Sequence, residues 1–113
     1  MPAEAPVPEI APPALKKRLD QGENLFLLDV REPHEIMICA LPSMVNIPLG
    51  QLPNRLPELE GMSDREIVVY CRSGGRSAMA VQFLRDHGFK SVVNLTGGML
   101  AWSDQVDPRI AKY

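Results

Sequence analysis

The run Ile67-Val68-Val69-Tyr70, followed at once by Cys71-Arg72-Ser73-Gly74-Gly75-Arg76-Ser77, constrains this chain more than any other segment. A short, wholly apolar run bounded by turn residues reads as a strand covered on both faces. The apolar positions Ala80, Val81 and Leu84 then mark one face of a helix from Arg76 to His87. Gly88, followed by apolar Phe89, sits where a left-handed helix cap belongs. A buried strand, a Gly-Gly turn and an amphipathic helix, in that order, form half of a strand–helix–strand unit.

The same alternation runs through the chain. Leu25 to Leu28 reads as a buried strand ending at Asp29, Val45 to Ile47 as a strand closed by Pro48, and Val92 to Leu95 as another. Pro13 opens a helix over Ala14 to Gln21, which Gly22 ends. Pro33 to Ile38 reads as a helical turn. Leu49 to Leu59 reads as a helical stretch broken by Pro53 and Pro57, and Gly97-Gly98 opens a last helix through Trp102. Strands alternating with helices imply an α/β fold: a parallel sheet covered by helices. The 113 residues suit one domain, long enough for a core without disulfides. The divisions expected are a Pro-rich flexible lead-in or linker over residues 1–9, a domain over 10–106 and a tail over 107–113.

Composition narrows the function. A net charge of -2, no concentrated Lys/Arg run and 5% aromatics argue against nucleic acid as the main partner. No apolar run is long enough to span a bilayer, and no signal-peptide pattern opens the chain, so the expected location is cytoplasmic. Monomer is the default expectation. Two cysteines, Cys39 and Cys71, are too far apart for a CxxC redox motif and too few for a zinc site. No metal or cofactor is expected.

Chemistry concentrates at Cys71. It is the first residue after the best strand, at the sheet end where α/β domains build their sites. Gly74 and Gly75 let the backbone curl, so that several N–H groups converge into an anion-binding nest at the helix N-terminus. With Arg72 and Arg76 beside it, such a nest favours the thiolate, the nucleophilic form of cysteine. A buried structural cysteine beside a turn is the alternative. Ser73 and Ser77 complete the loop. Asp29 and Arg31, at a neighbouring strand end, read either as support for the loop or as a structural ion pair. Cys39 reads as a small core residue or a resolving thiol. His34 and His87 lie in a turn and a last helical turn, and Tyr70 and Trp102 read as core.

Cys71 to Ser77 resembles the active-site loop of the rhodanese family. Asp29-Val30-Arg31-Glu32, Asn46-Ile47-Pro48-Leu49 and Gly97-Gly98-Met99-Leu100-Ala101-Trp102 resemble three further segments of that family, so the likeness runs from about Ile10 to Trp102. The resemblance implies a five-stranded parallel sheet with helices on both faces. It also implies a sulfurtransferase in which Cys71 takes sulfane sulfur as a persulfide and passes it on, with Arg72 to Ser77 binding the substrate. The donor would be a small anion such as thiosulfate or the persulfide of a cysteine desulfurase. A narrower likeness, in Ile38-Cys39-Ala40-Leu41-Pro42 and Trp102…Asp107-Pro108…Tyr113, is to the C-terminal rhodanese domain of E1-like adenylyltransferases. It implies a sulfur-carrier protein with an activated C-terminus as acceptor. One departure is that Cys39 to Met44 replaces the family's Gly-His-Ile-Pro-Gly-Ala, removing a His near the site. Two other readings stand beside this one: a non-catalytic docking module of the same fold, and a Cys-dependent phosphatase. The latter's Cys-x5-Arg loop would need Arg where this chain has Ser77.

Overall fold

The computed structural model describes residues 7–113. Five strands form one parallel sheet: β1 (Glu9–Ile10), β2 (Phe26–Asp29), β3 (Val45–Asn46), β4 (Ile67–Tyr70) and β5 (Val92–Leu95), in the spatial order β1-β5-β4-β2-β3. The helices are α1 (Pro12–Asp20), α2 (Pro33–Ile36), α3 (Leu52–Arg55), α4 (Gly75–Asp86) and α5 (Gly98–Gln105). The expected α/β architecture is present.

Strand period decides which side each residue serves. Ile67, Val69 and Cys71 point to one side and join Ala80, Val81 and Leu84 of α4 and Leu52 of α3. Val68 and Tyr70 point to the other and join Leu15 of α1 and Met99 and Trp102 of α5. Helices therefore cover both faces, and β4, fully buried along its length, needs the unbroken apolar run that its sequence shows. Tyr70 and Trp102 lie in the core as expected, the Tyr70 hydroxyl accepting a hydrogen bond from the Leu41 N–H at 3.2 Å.

Several elements differ in extent from the sequence expectation. α1 starts at Pro12, because the first helical positions have no intrahelical partner for an N–H, and proline loses nothing there. Leu49 to Leu59 resolves into two 3₁₀ turns flanking α3, with Pro53 and Pro57 each near the start of a turn. α5 runs past Trp102 to Gln105.

Residues 1–6 of the lead-in lie outside the described residues. Val7, Pro8 and Glu9 are docked rather than loose. Val7 packs on the α4-side core, the Pro8 carbonyl accepts from Asn94 N–H at 2.8 Å, and Glu9 begins β1. Composition obscured this strand because proline lacks an N–H, yet an edge strand needs donors on one side only. Residues 107–113 fold back, with Ser103 Oγ donating to the Ile110 carbonyl at 2.8 Å and Tyr113 reaching Arg31 and Glu35.

Candidate functional site

β4 delivers Cys71 to the foot of α4, and two glycine junctions shape what surrounds it. The first is at the N-terminus of α5. Gly98 has φ +59°, and a Cβ there would lie 2.4 Å from the Cys71 carbonyl oxygen and 2.6 Å from that of Arg72. Only glycine admits this approach. It lets the N–H groups of Met99 and Leu100 take those two carbonyls at 2.9 and 3.0 Å. The second junction is Gly74, the residue before α4, with φ +107°. With its carbonyls drawn toward α5, the loop turns its N–H groups inward.

Those groups converge on sulfur. Cys71 Sγ accepts from Gly74 N–H at 3.1 Å, from Ser77 N–H at 3.4 Å and from Ser77 Oγ–H at 3.3 Å. Burial, with only 1% of the residue exposed, pushes the thiol pKa up. The Ser77 hydroxyl and the N–H groups of Ser77, Gly74 and Ser73 outweigh it, and the net direction is down from 9.0. This is a cradle for a sulfur-centred anion.

The other expected residues divide. Ser73 and Gly75 are exposed on the loop. Arg72 is exposed, stacks over the Tyr113 ring at 5.3 Å and donates to the Tyr113 carbonyl. Arg76 turns its guanidinium to Glu35, at 2.6 and 2.9 Å, so its charge reaches Cys71 through space only. Asp29 and Arg31 form a buried pair, with contacts of 2.7 to 3.0 Å, and make no hydrogen bond to Sγ. Arg31 also donates to the Cys39 carbonyl at 2.7 Å and to the Tyr113 hydroxyl at 2.8 Å.

Both cysteines are free thiols. Cys39 is half-buried beside Arg31. His34 is exposed, and His87 bonds the Phe83 carbonyl and packs on its ring; neither histidine bonds Cys71.

Three residues at the site were given no site role from the sequence. Glu35, held at a pKa of about 2 chiefly by Arg76, links α2 to α4. Tyr113 donates its hydroxyl proton to Glu35 at 2.8 Å. Asn94 accepts from Ser77 Oγ at 2.5 Å and donates to the Gly74 carbonyl at 3.1 Å. For Asn94 the signal was present: it is the one polar residue in Val92-Val93-Asn94-Leu95.

A parallel α/β domain whose central strand hands a cysteine to a ring of N–H donors belongs to the class of cysteine-anion sites at a strand–loop–helix junction. The chain belongs to the rhodanese-like domain family, whose model matches residues 11–105. It is 38% identical over 105 residues to a sulfurtransferase of Allochromatium vinosum, covering 93% of this chain and 96% of that one. It is 42% identical over 103 residues to the maize (Zea mays) adenylyltransferase and sulfurtransferase MOCS3-1; the match takes in 87% of this chain but 22% of the maize protein. Among solved structures it resembles a rhodanese-related protein of Thermoplasma volcanium. That match has a TM-score of 0.77 at 31% identity and covers 88% of this chain and 93% of the other. No helix among the described residues is long and apolar enough to cross a membrane.

Proposed function

We propose that the protein is a sulfurtransferase of the rhodanese type and that Cys71 carries the transferred sulfur as a persulfide. The observation that carries this reading is the convergence of Gly74 N–H, Ser77 N–H and Ser77 Oγ–H on one buried sulfur, at 3.1 to 3.4 Å. Family membership and the name of the Allochromatium relative support it.

In the first half-reaction the Cys71 thiolate attacks the outer sulfur of a donor such as thiosulfate. A Cys71 S–S bond forms, the donor's S–S bond breaks, and sulfite leaves with the electron pair. The charge now resides on the outer sulfur, which in this reading is received by the inward N–H groups together with exposed Ser73 and Gly75, the first residue of α4. In the second half-reaction a thiophilic acceptor attacks that outer sulfur, the Cys71 S–S bond breaks, and the thiolate returns. No general base is invoked, because the N–H and O–H donors around Sγ favour the ionised nucleophile.

Only 1% of Cys71 is exposed, so a donor must present a narrow end. Thiosulfate does, as does a persulfide borne on a flexible segment of a cysteine desulfurase. The maize relative's name joins adenylyltransferase to sulfurtransferase, which supports a sulfur-carrier protein with an adenylate-activated C-terminus as an acceptor. The test is intact mass after incubation with thiosulfate, beside a Cys71→Ser control. A gain of one sulfur, removed by cyanide and confined to the wild type, is the expected result. A gain on both proteins would move the persulfide to Cys39 and overturn the assignment.

A further inference from the structure

Asn94 occupies a position where the alternation of β5 asks for an apolar residue. Val92 packs on the α4 side of the sheet and Leu95 on the opposite side, so Asn94 shares the side of Val92 and Cys71. It is 2% exposed, and a buried amide is tolerated only when its polar atoms are matched. Here Oδ1 accepts from Ser77 Oγ at 2.5 Å, while Nδ2 donates to the Gly74 carbonyl at 3.1 Å and to Glu9 Oε2 at 3.4 Å.

The Ser77 hydroxyl has one proton and two acceptors, Asn94 Oδ1 at 2.5 Å and Cys71 Sγ at 3.3 Å. Against a neutral sulfur, which is a weak acceptor, the short bond to Asn94 holds the proton. Against a thiolate the balance reverses, because a bond to a charged acceptor is roughly twice as strong as a neutral one. In a persulfide the charge moves to the outer sulfur and Sγ is neutral again.

We propose that Asn94 is a positioning residue for Cys71: it is the second acceptor of the Ser77 hydroxyl, which donates to Sγ in the thiolate and to Asn94 when the sulfur is a thiol or carries a second sulfur. No proton is transferred; only the hydroxyl torsion turns. The inference rests on Cys71 being the sulfur-carrying residue. Loop anchoring is a separate matter, since the Gly74 carbonyl also accepts from Ala78 N–H at 3.1 Å and keeps that bond without Asn94. The charged groups around the pair are Arg76 on α4 with its partner Glu35 on α2, Arg72 in the loop, the Asp29–Arg31 pair at the end of β2, and Glu9 on β1 behind Asn94. None of them is altered in the variants below.

The experiment is the pH dependence of iodoacetamide alkylation at Cys71, resolved from Cys39 by peptide mass, in wild type, Asn94→Ala, Ser77→Ala and the double variant. Asn94→Ala releases the hydroxyl to sulfur and lowers the midpoint by about half a pH unit, the shift expected of one modest hydrogen bond. In the Ser77→Ala background the same substitution leaves the midpoint where it was. A rise in the midpoint, or an equal shift in both backgrounds, would overturn the proposal, because Asn94 would then act through the loop. Should Asn94→Ala not fold, the ¹³C resonance of the Asn94 carboxamide in otherwise intact protein gives the same answer. It moves with Cys71 ionisation in the wild type and stays still in Ser77→Ala; equal movement in both refutes the inference. If Cys71 is too buried to alkylate, the ¹³C titration decides instead; if that titration behaves as expected while no persulfide forms on Cys71, the underlying reading of Cys71 fails and the positioning role stands.

Discussion

β2 and β4 are neighbours in the sheet and end level with each other, Asp29 opposite Tyr70. Each brings a buried group with anionic character to its carboxyl end, and the two are treated in opposite ways. The Asp29 carboxylate meets a full positive charge two residues along the chain, in Arg31, and both side chains are wholly buried. The Cys71 sulfur meets N–H and O–H dipoles and no ion-pair partner. A carboxylate neutralised by a guanidinium is held in place and chemically quiet. A sulfur held by dipoles favours its charged form while keeping its electron pair available to a substrate. With Cys71 as the proposed sulfur carrier, the difference would separate a structural use of charge from a reactive one, at two positions one strand apart.

The comparison breaks most visibly at sulfur. Cys71→Ser is expected to reduce sulfur transfer by more than about a hundredfold, since a serine hydroxyl is not ionised near neutral pH. The thermal midpoint should stay close to wild type, and Cys39→Ser should retain most activity. A folded but inactive Cys39→Ser would reverse the assignment of the two thiols.

At β2 the expected loss is of stability. Arg31→Met leaves the Asp29 carboxylate buried without its partner and should cost about 3–5 kcal/mol in urea unfolding. A loss below about 1 kcal/mol would mean that the pair does not hold the strand end as its geometry suggests.

Glu35 bridges the two regions, and acid probes it. Its pKa is lowered from 4.5 to about 2, first by the Arg76 hydrogen bond, against the opposing effect of burial. A carboxylate depressed on folding contributes its stability above the unfolded value and loses it as pH falls through the folded one. The advantage of wild type over Glu35→Gln should therefore be full above about pH 4.5 and fade toward pH 2, over roughly 3 kcal/mol. A difference that stays constant across that interval would show that the carboxylate charge is not what links α2 to α4.

The smallest effect is expected away from both groups. Ser43 is exposed and has φ +59°, in the left-handed region. Ser43→Gly should raise stability by roughly 0.5–1 kcal/mol without altering alkylation at Cys71.

Much of the fold was readable from residue order. Ile67-Val68-Val69-Tyr70 announces a strand buried on both faces, and Ala80, Val81 and Leu84 announce the covering helix, because both signals are local and periodic. β1 was not readable. Two residues beside prolines carry no period, and their role comes from pairing with β5, distant in the chain. The site divided in the same way. Cys71, Gly74 and Ser77 lie within one short stretch, the loop and the first turn of α4, so their convergence follows from local backbone geometry. Asn94, Glu35 and Tyr113 reach the site from β5, α2 and the C-terminal segment, and no local pattern brings them together. Arg76, in the first turn of α4, shows the limit of local reading: its position reads as an anion ligand, while its pairing with Glu35, 41 positions away in the chain, carries no local signal.

By itself, the sequence determined that this chain alternates strands and helices and that a cysteine stands at a strand–Gly–Gly–helix junction. Propensity, period and the conformational freedom of glycine act over a few residues and need no partner. Only the tertiary structure decided which charges cancel and which dipoles stay aimed at sulfur. A hydrogen bond or ion pair depends on distances of about 3 Å, and packing the sheet against its helices is what sets those distances between residues far apart in the chain.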